Sequence, residues 1–384
     1  MTNEGEHMRG AHDPLSGLLA ALSQALVDTP WTGAHLSPLA DTGLAHHHVD
    51  LVGHGVLARI PKQSQLHLDA MANLAYQSAC FDRASASGHA PTLHAVIDPR
   101  AGLPRGALVV ERIDGRPARL PGDLPAIATA LARIHALPLP VEADRAPLRD
   151  DADPLLALGR EIGVQAEYLD AARLDPRTHA LIDSEITTLD RLIRRPERPH
   201  RRLIAFDAHP GNFVIRPDGS AVLVDLEKCR YSYPSLDLAH ATLYTSTTWE
   251  AGSSTVLGTA ELGGFLDRWT AETGQDGAGG WHVPLRRAMW LWSATWSAKW
   301  RVLSGGAPAA GAEGEDWAAA NSTDALTVHV RDRVDHYLAP GVVRSIVADF
   351  DELEAIELGR LESPDELDRL ESPDPLDRTG HRAP

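Results

Sequence analysis

Apolar residues change period several times along this chain, from alternation to helical spacing, and each change marks a predicted element. Residues 15–26 follow a polar start with a short amphipathic helical pattern, and 31–38 read as a turn-rich connector. Stretches 44–52 and 56–60 suit two strands, with Gly53-His54-Gly55 as the turn between them. Residues 66–87 contain neither Pro nor Gly and place apolar side chains near helical spacing, so they predict one helix that Gly88 stops. Two further strand-like segments, 94–98 and 107–111, flank a turn-like stretch at 99–106.

Beyond that point the pattern becomes mainly helical. Residues 123–136 predict a helix with Asp123 as N-cap, and after a Pro-rich break more helix follows at 161–173 and 179–194. One compact β insertion interrupts the run: 203–205, then 213–215, the turn Pro217-Asp218-Gly219, and 222–225. On the predicted helix 289–302, Trp292, Trp296 and Trp300 recur at i, i+4 and i+8 and share a face, which suits core packing or the wall of a substrate pocket. The expected architecture is α+β, with a small β-rich lobe and a larger α-helical one. Its parts are an N-terminal extension (1–35), the small lobe (36–110), a hinge (111–116), the large lobe (117–348) and an acidic tail (349–384). In that tail Leu361-Glu-Ser-Pro-Asp and Leu370-Glu-Ser-Pro-Asp repeat at a nine-residue spacing, a composition that reads as solvated chain.

Composition narrows the function. The formal net charge of −17 lacks the basic patches that a nucleic-acid backbone requires, and a cationic small molecule suits it better. Residues 349–378, with 12 acidic and 3 basic side chains, hold much of that charge away from any site. No run approaches the roughly 20 apolar residues of a membrane helix and the start lacks the apolar core of a signal peptide, so a cytoplasmic protein is expected. The two cysteines, Cys80 and Cys229, are too few for a disulfide framework and read as buried free thiols.

Polar chemistry concentrates in Ala205-Phe206-Asp207-Ala208-His209-Pro210-Gly211-Asn212 and, one hairpin later, Asp225-Leu226-Glu227. An Asp, an Asn five positions on and a second Asp across a turn is the arrangement of hydroxyl-phosphorylating kinases. There the first Asp takes the proton of the attacking hydroxyl, while the Asn and the second Asp hold Mg²⁺ on the nucleotide phosphates. Glu227, two residues from Asp225, fits a further metal-site carboxylate on the same strand face. Three consecutive histidines, His46-His47-His48, cannot converge on one ion from a strand whose side chains alternate.

These residues resemble the aminoglycoside phosphotransferase and choline kinase superfamily, whose catalytic stretch commonly reads H-G-D-x-H-P-G-N followed by D-x-E. The resemblance spans roughly residues 36 to 305 and continues in Glu111-Arg-Ile-Asp-Gly115, similar to the family hinge, and in Ala130-Leu-Ala-Arg-Ile-His-Ala-Leu-Pro138 after it. It implies a two-lobed, protein-kinase-like fold that uses ATP or GTP with Mg²⁺ to phosphorylate an aminoglycoside-like or other amino-alcohol compound. A metabolic kinase of choline, homoserine or sugar type, or a silent nucleotide-binding module, are the alternatives.

Under that resemblance Asp207 is the catalytic base or orienter, and Asn212, Asp225 and Glu227 are metal ligands. Gly43, Arg59, Lys62, Gln77, Glu111 and Ile113 belong to the nucleotide site, with Arg59 and Lys62 competing for the phosphate-binding role and Arg59 preferred for its place on a strand. His209 supports the loop, and Asp237, in a segment similar to the family's G-D-P-x-x-D-L-A, anchors it. Two departures stand out: Ala205 replaces the family's His, and no Glu lies between Lys62 and Gly88, leaving Gln77 as the substitute partner of the phosphate-binding cation.

Overall fold

In the computed structural model, residues 14–40, 45–250, 254–274, 280–304 and 324–361 are described. Gly43 and the repeats beyond Leu361 lie outside them. The chain begins with α1 (Pro14–Ala25), then β1 (Leu36–Pro38), β2 (His46–Leu51), β3 (Val56–Pro61), α2 (Ala70–Ser85), β4 (Leu93–Ile97) and β5 (Ala107–Glu111). The five strands form one antiparallel sheet in the order β1-β2-β3-β5-β4.

Alternation assigns each side chain of this sheet to a face. Val56, Ala58 and Ile60 pack with Ala107 and Val109 on one face, whereas Leu57, Leu108 and Val110 join the core shared with α2. Arg59 has the parity of Leu57 and projects toward the second face. His48 lies opposite Arg59 and His46 opposite Pro61, so both share that face, while His47 pairs with Ile60 and turns away.

The first face is covered by α1 and the residue after it, with Leu22 and Leu26 buried among Val49, Leu51 and Val109. Residues 14–26 therefore belong to the sheet's core rather than to an appended extension. The approach is close at Gly102, where a Cβ would meet that of Ala21 at 2.5 Å.

The remaining chain supplies β6 (Arg116–Pro117), α3 (Leu124–His135), α4 (Pro154–Ala166), α5 (Pro176–Ile193), β7 (Arg202–Ile204), β8 (Phe213–Ile215), β9 (Ala221–Leu223) and β10 (Arg230–Ser232). It closes with α6 (Pro234–Thr242), α7 (Tyr244–Thr247), α8 (Thr259–Thr273), α9 (His282–Ser304), α10 (Asp324–Tyr337) and α11 (Pro340–Leu361). The short strands form a three-stranded sheet β6-β8-β9 and a pair β10-β7. Between β7 and β8 runs the loop carrying Asp207.

Asp123 precedes α3 but makes no side-chain cap. Its carboxylate instead takes two hydrogen bonds from Arg116 and one from the Arg119 backbone, and the charged guanidinium outcompetes the helix N–H groups. The helical core gathers around α9, which lies against α4, α5, α6 and α10. At the C-terminus α11 passes the expected start of the tail: Phe350 is buried with its ring 5.8 Å from that of Trp290, and Asp351 pairs with Arg287. No helix among the described residues is long and apolar enough to cross a membrane.

Candidate active site

A cavity of about 750 Å³ separates the five-stranded sheet from the helical part and runs from Arg59 and Asp225 past Asp207 to Trp249 and Trp296. Asp207 stands midway because its loop is fastened from below. The Asp237 carboxylate, fully buried on α6, accepts from the backbone N–H of Ala205 (2.7 Å) and Phe206 (2.8 Å). His135 also reaches Asp237, with its Nε2 3.1 Å from Oδ2, while its Nδ1 accepts from the Trp269 indole at 3.0 Å. The indole can only donate, so the geometry leaves the His135 proton on Nε2, facing the carboxylate.

Phe206 occupies the position of glycine in the family pattern H-G-D, and its φ of 59° lies in the left-handed region that glycine enters freely. A bulky residue tolerates this backbone only when its surroundings hold it there. Here the Arg230 guanidinium lies 3.6 Å over the ring and Trp292 meets its edge at 5.4 Å, in addition to the Asp237 bond. Ala205, where the family has His, is buried in the apolar core.

The loop closes on itself. His209 Nδ1 accepts from the Gly211 N–H, and Asn212 Nδ2 donates to the Asp207 carbonyl at 2.8 Å. The backbone N–H of Val224 donates to the Asn212 carbonyl, which brings the second motif alongside the first. Lys228 holds Asp207 directly, with Nζ 2.9 Å from Oδ2, and His240 Nδ1 stands 3.9 Å from Oδ1. Burial alone would raise the Asp207 carboxyl, but the Lys228 ammonium and the imidazoles of His209 and His240 outweigh it and keep the group below its ordinary value. Burial pushes the His240 imidazole down to about 4.

Arg59 crosses from β3 to the second motif, donating to Asp225 Oδ1 at 2.8 Å and to the Val224 carbonyl at 2.9 Å. Burial opposes ionisation of Asp225, yet Arg59 and His46 together hold its carboxyl well below the usual range. Gln77, expected to partner Arg59, instead bonds His46 (3.0 Å) and Glu227 (3.3 Å). The anion facing Arg59 is Asp225 itself. Lys62 follows the end of β3, its backbone N–H bonded to the Ala45 carbonyl.

Strand β9 ends at Leu223, so Glu227 does not share a strand face with Asp225. A turn brings it back instead, and ligand atoms of His46, Asp225 and Glu227 come within 4.8 Å of one another. Burial and then the Asp225 charge push the Glu227 carboxyl up to about 8, whereas burial and Arg59 hold His46 down to about 3. The two side chains lie 3.6 Å apart. Glu227 Oε1 is buried without a hydrogen-bond partner. Carboxylate and amide oxygens with one orphaned acceptor suit a hard divalent cation.

The hinge residues meet a mixed outcome. Glu111 Oε1 accepts from Arg216 and Oε2 from the Thr92 N–H, so its side chain braces the segment, with half-buried Ile113 two residues on. Cys80 and Cys229 are buried and free, and the Cys80 thiol, followed by burial, raises the Cys229 thiol.

Sequence reasoning missed Lys228, His240, His46 and Trp249. Lys228 directly follows the quoted Asp-Leu-Glu, and His240 closes the quoted Asp237 segment, so both lay within readable motifs. The tryptophans of α9 divide: Trp300 is buried in the core, and Trp292 and Trp296 line the cavity.

Comparison with known proteins places this geometry. Solved structures share the fold at low identity. A choline/ethanolamine kinase family protein from Mesorhizobium loti matches with a TM-score of 0.53 at 16% identity, covering 86% of this chain and 98% of that one. Choline kinase LicA from Streptococcus pneumoniae matches with a TM-score of 0.52 at 13% identity over 84% and 98%. A GDP complex of aminoglycoside 2'-phosphotransferase-IIIa gives a TM-score of 0.53 at 15% identity over 86% and 98%. No curated protein sequence matches the chain. The model of the phosphotransferase enzyme family matches residues 50–281, more than half of the chain. With its β-rich small lobe, its helical large lobe and this match, the chain belongs to the phosphotransferase enzyme family and has a protein-kinase-like α+β fold.

Proposed function

We propose that this chain transfers the γ-phosphate of ATP or GTP to a hydroxyl of a small molecule, with Asp207 receiving or orienting the hydroxyl proton. One observation carries the reading: Asp207 and Asp225 line the same cavity, each held by a different cation, so acceptor and nucleotide chemistry have separate anchors. Arg59, buried and aimed into the cavity from β3, suits the nucleotide phosphates, where a guanidinium can bind two oxygens at once. Asn212, Asp225 and Glu227 would hold Mg²⁺, and Gln77 with His46 fixes the Glu227 carboxyl. When bound, the ion supplies positive charge that neutralises the phosphate oxygens.

This chain's own contribution is positioning. Asp237 and His135 hold the loop so that Asp207 faces an incoming hydroxyl, and Lys228 keeps the Asp207 carboxyl ionised and oriented. Assignment of the hinge residues Glu111 and Ile113 to the nucleotide end rests on the family resemblance, since neither lines the cavity.

Purified protein with Mg·ATP or Mg·GTP and a panel of alcohols should release nucleoside diphosphate only when an acceptor is present. ³¹P NMR should find a new phosphomonoester. Tight nucleotide binding without phosphate transfer to any member of a broad alcohol panel would favour the silent-module reading.

A further inference from the structure

The far end of the cavity lies across Asp207 from Arg59 and is built from α7, α9 and α10 with Trp249. Trp249 and Trp296 are partly exposed there, their ring centroids 6.3 Å apart and their planes near perpendicular. Tyr337 stacks on Trp249 at 6.2 Å, and His329 meets the same indole edge-on at 5.6 Å. Ser293, Ser297, Thr245 and Ser246 line this end, and the Thr245 hydroxyl is buried without a hydrogen-bond partner.

Charge decides what such a wall can hold. Among the described lining residues the carboxylates are Asp207, Asp225 and Glu250, and the first two already face Lys228 and Arg59. Glu250 sits exposed at the rim. Positive groups match them one for one, since Arg59, Arg119 and Lys228 line the same cavity. A polycation brings several ammonium groups that each need a counter-charge or lose hydration without return. A single quaternary ammonium would want an open aromatic box. That box is not available, because Tyr337 stacks on Trp249 and the Lys228 ammonium already lies 5.9 Å from the Trp292 ring centroid.

From this we infer that the acceptor is an uncharged alcohol with a flat or apolar ring face, of the glycoside or aromatic-alcohol class, lying against the Trp296 indole beside Trp249 with its hydroxyl toward Asp207. Indole faces supply apolar area and stacking, and the hydroxyl-bearing edge supplies hydrogen bonds that need no net charge on the ligand. The inference rests on the phosphotransfer reading for its orientation, and it replaces the cationic acceptor expected from net charge. That expectation drew on a net charge of which residues 349–378, with 12 acidic and 3 basic side chains, hold a large share, and none of the described residues of that stretch lines the cavity.

The test separates binding from turnover. Tryptophan fluorescence of the full chain is titrated with phenyl glucoside, naphthylmethanol, choline and kanamycin in the presence of a non-hydrolysable Mg·nucleotide. Diphosphate release is then measured with Mg·ATP and Mg·GTP for the same compounds. The neutral ring alcohols should quench saturably and be phosphorylated. Trp296→Ala should raise their Kd about tenfold or more while nucleotide affinity stays unchanged, and Trp296→Phe should restore most of the loss. Saturable binding of the neutral alcohols without turnover would sink the phosphotransfer reading and leave the subsite standing. Binding of choline or kanamycin alone, or no saturable binding by either neutral alcohol, overturns the inference.

Discussion

The two ends of the cavity follow opposite plans. At the sheet end every functional group answers a polar partner: Arg59 meets Asp225, Gln77 bridges His46 and Glu227, and displacing one member disturbs the rest. At the helical end the wall is aromatic, and Trp249 and Trp296 pack against the same apolar core that gathers around α9. Electrostatic chemistry demands particular residue types at fixed spacing, whereas an apolar wall accepts any side chains of suitable size and shape. The first plan fixes what reaction can occur, and the second selects the molecule on which it occurs.

The largest test of this contrast falls on the loop between the ends. Asp237→Ala leaves two buried N–H groups and the His135 ring without their acceptor, a loss of about 3 kcal/mol in folding stability. Chemical denaturation should register it, and the folded remainder should turn over slowly with both ends impaired. An unchanged midpoint would mean the loop is held by other contacts.

A narrower effect is expected at the sheet end alone. Arg59→Ala should weaken Mg·nucleotide binding about tenfold or more, the scale of a lost charge-assisted contact, and leave acceptor binding unaffected. Lys62→Ala should do much less, because Lys62 follows β3 rather than projecting from it. The reverse order would transfer the role to Lys62.

Acid should loosen the start of α9 progressively. Burial and the Arg286 charge hold His282, the first residue of α9, down to about 3 against an unfolded value of 6.5. As pH falls from about 6.5 toward 3, the unfolded chain takes up a proton that the folded chain refuses, so stability declines by up to about 1.4 kcal/mol per pH unit. His282→Gln should flatten that part of the stability profile; an unaltered slope would assign it to other groups. The smallest effect is expected from ending the chain after Leu361, which should leave Tm and turnover unchanged, because the acidic, Pro-interrupted repeat offers little apolar surface. A marked drop in Tm would give the repeat a docking role.

The contrast also explains what could be read from the sequence. Alternation and helical period located most strands and helices of the sheet and the helical part, since burial of one face leaves a regular trace. They missed the packing of α1, because a short amphipathic helix does not say which surface covers its apolar side. The Asp207, Asn212 and Asp225 constellation was legible because three polar residues at fixed spacing have few other causes. Gln77 was read as a partner of Arg59 because sequence order cannot show which of several nearby polar groups a cation selects. His46 was set aside with its neighbours, although alternation itself sends His46 and His48 to the cavity and only His47 away. Trp249 carried no periodic signal, since its place beside Trp296 depends on how α7 and α9 meet.

The central claim is that Asp225 serves the nucleotide and Asp207 the acceptor, and one calorimetric titration tests it directly. Binding of a non-hydrolysable Mg·nucleotide is measured for the wild type, Asp207→Asn and Asp225→Ala, beside steady-state rates for each. Asp225→Ala should lose nucleotide affinity and kcat together. Asp207→Asn should keep its nucleotide affinity while kcat falls by about 10² or more, the scale for losing a group that positions and deprotonates a hydroxyl. Near-normal kcat in Asp207→Asn, or loss of nucleotide binding as complete as in Asp225→Ala in a folded protein, would contradict the division of roles between the two carboxylates.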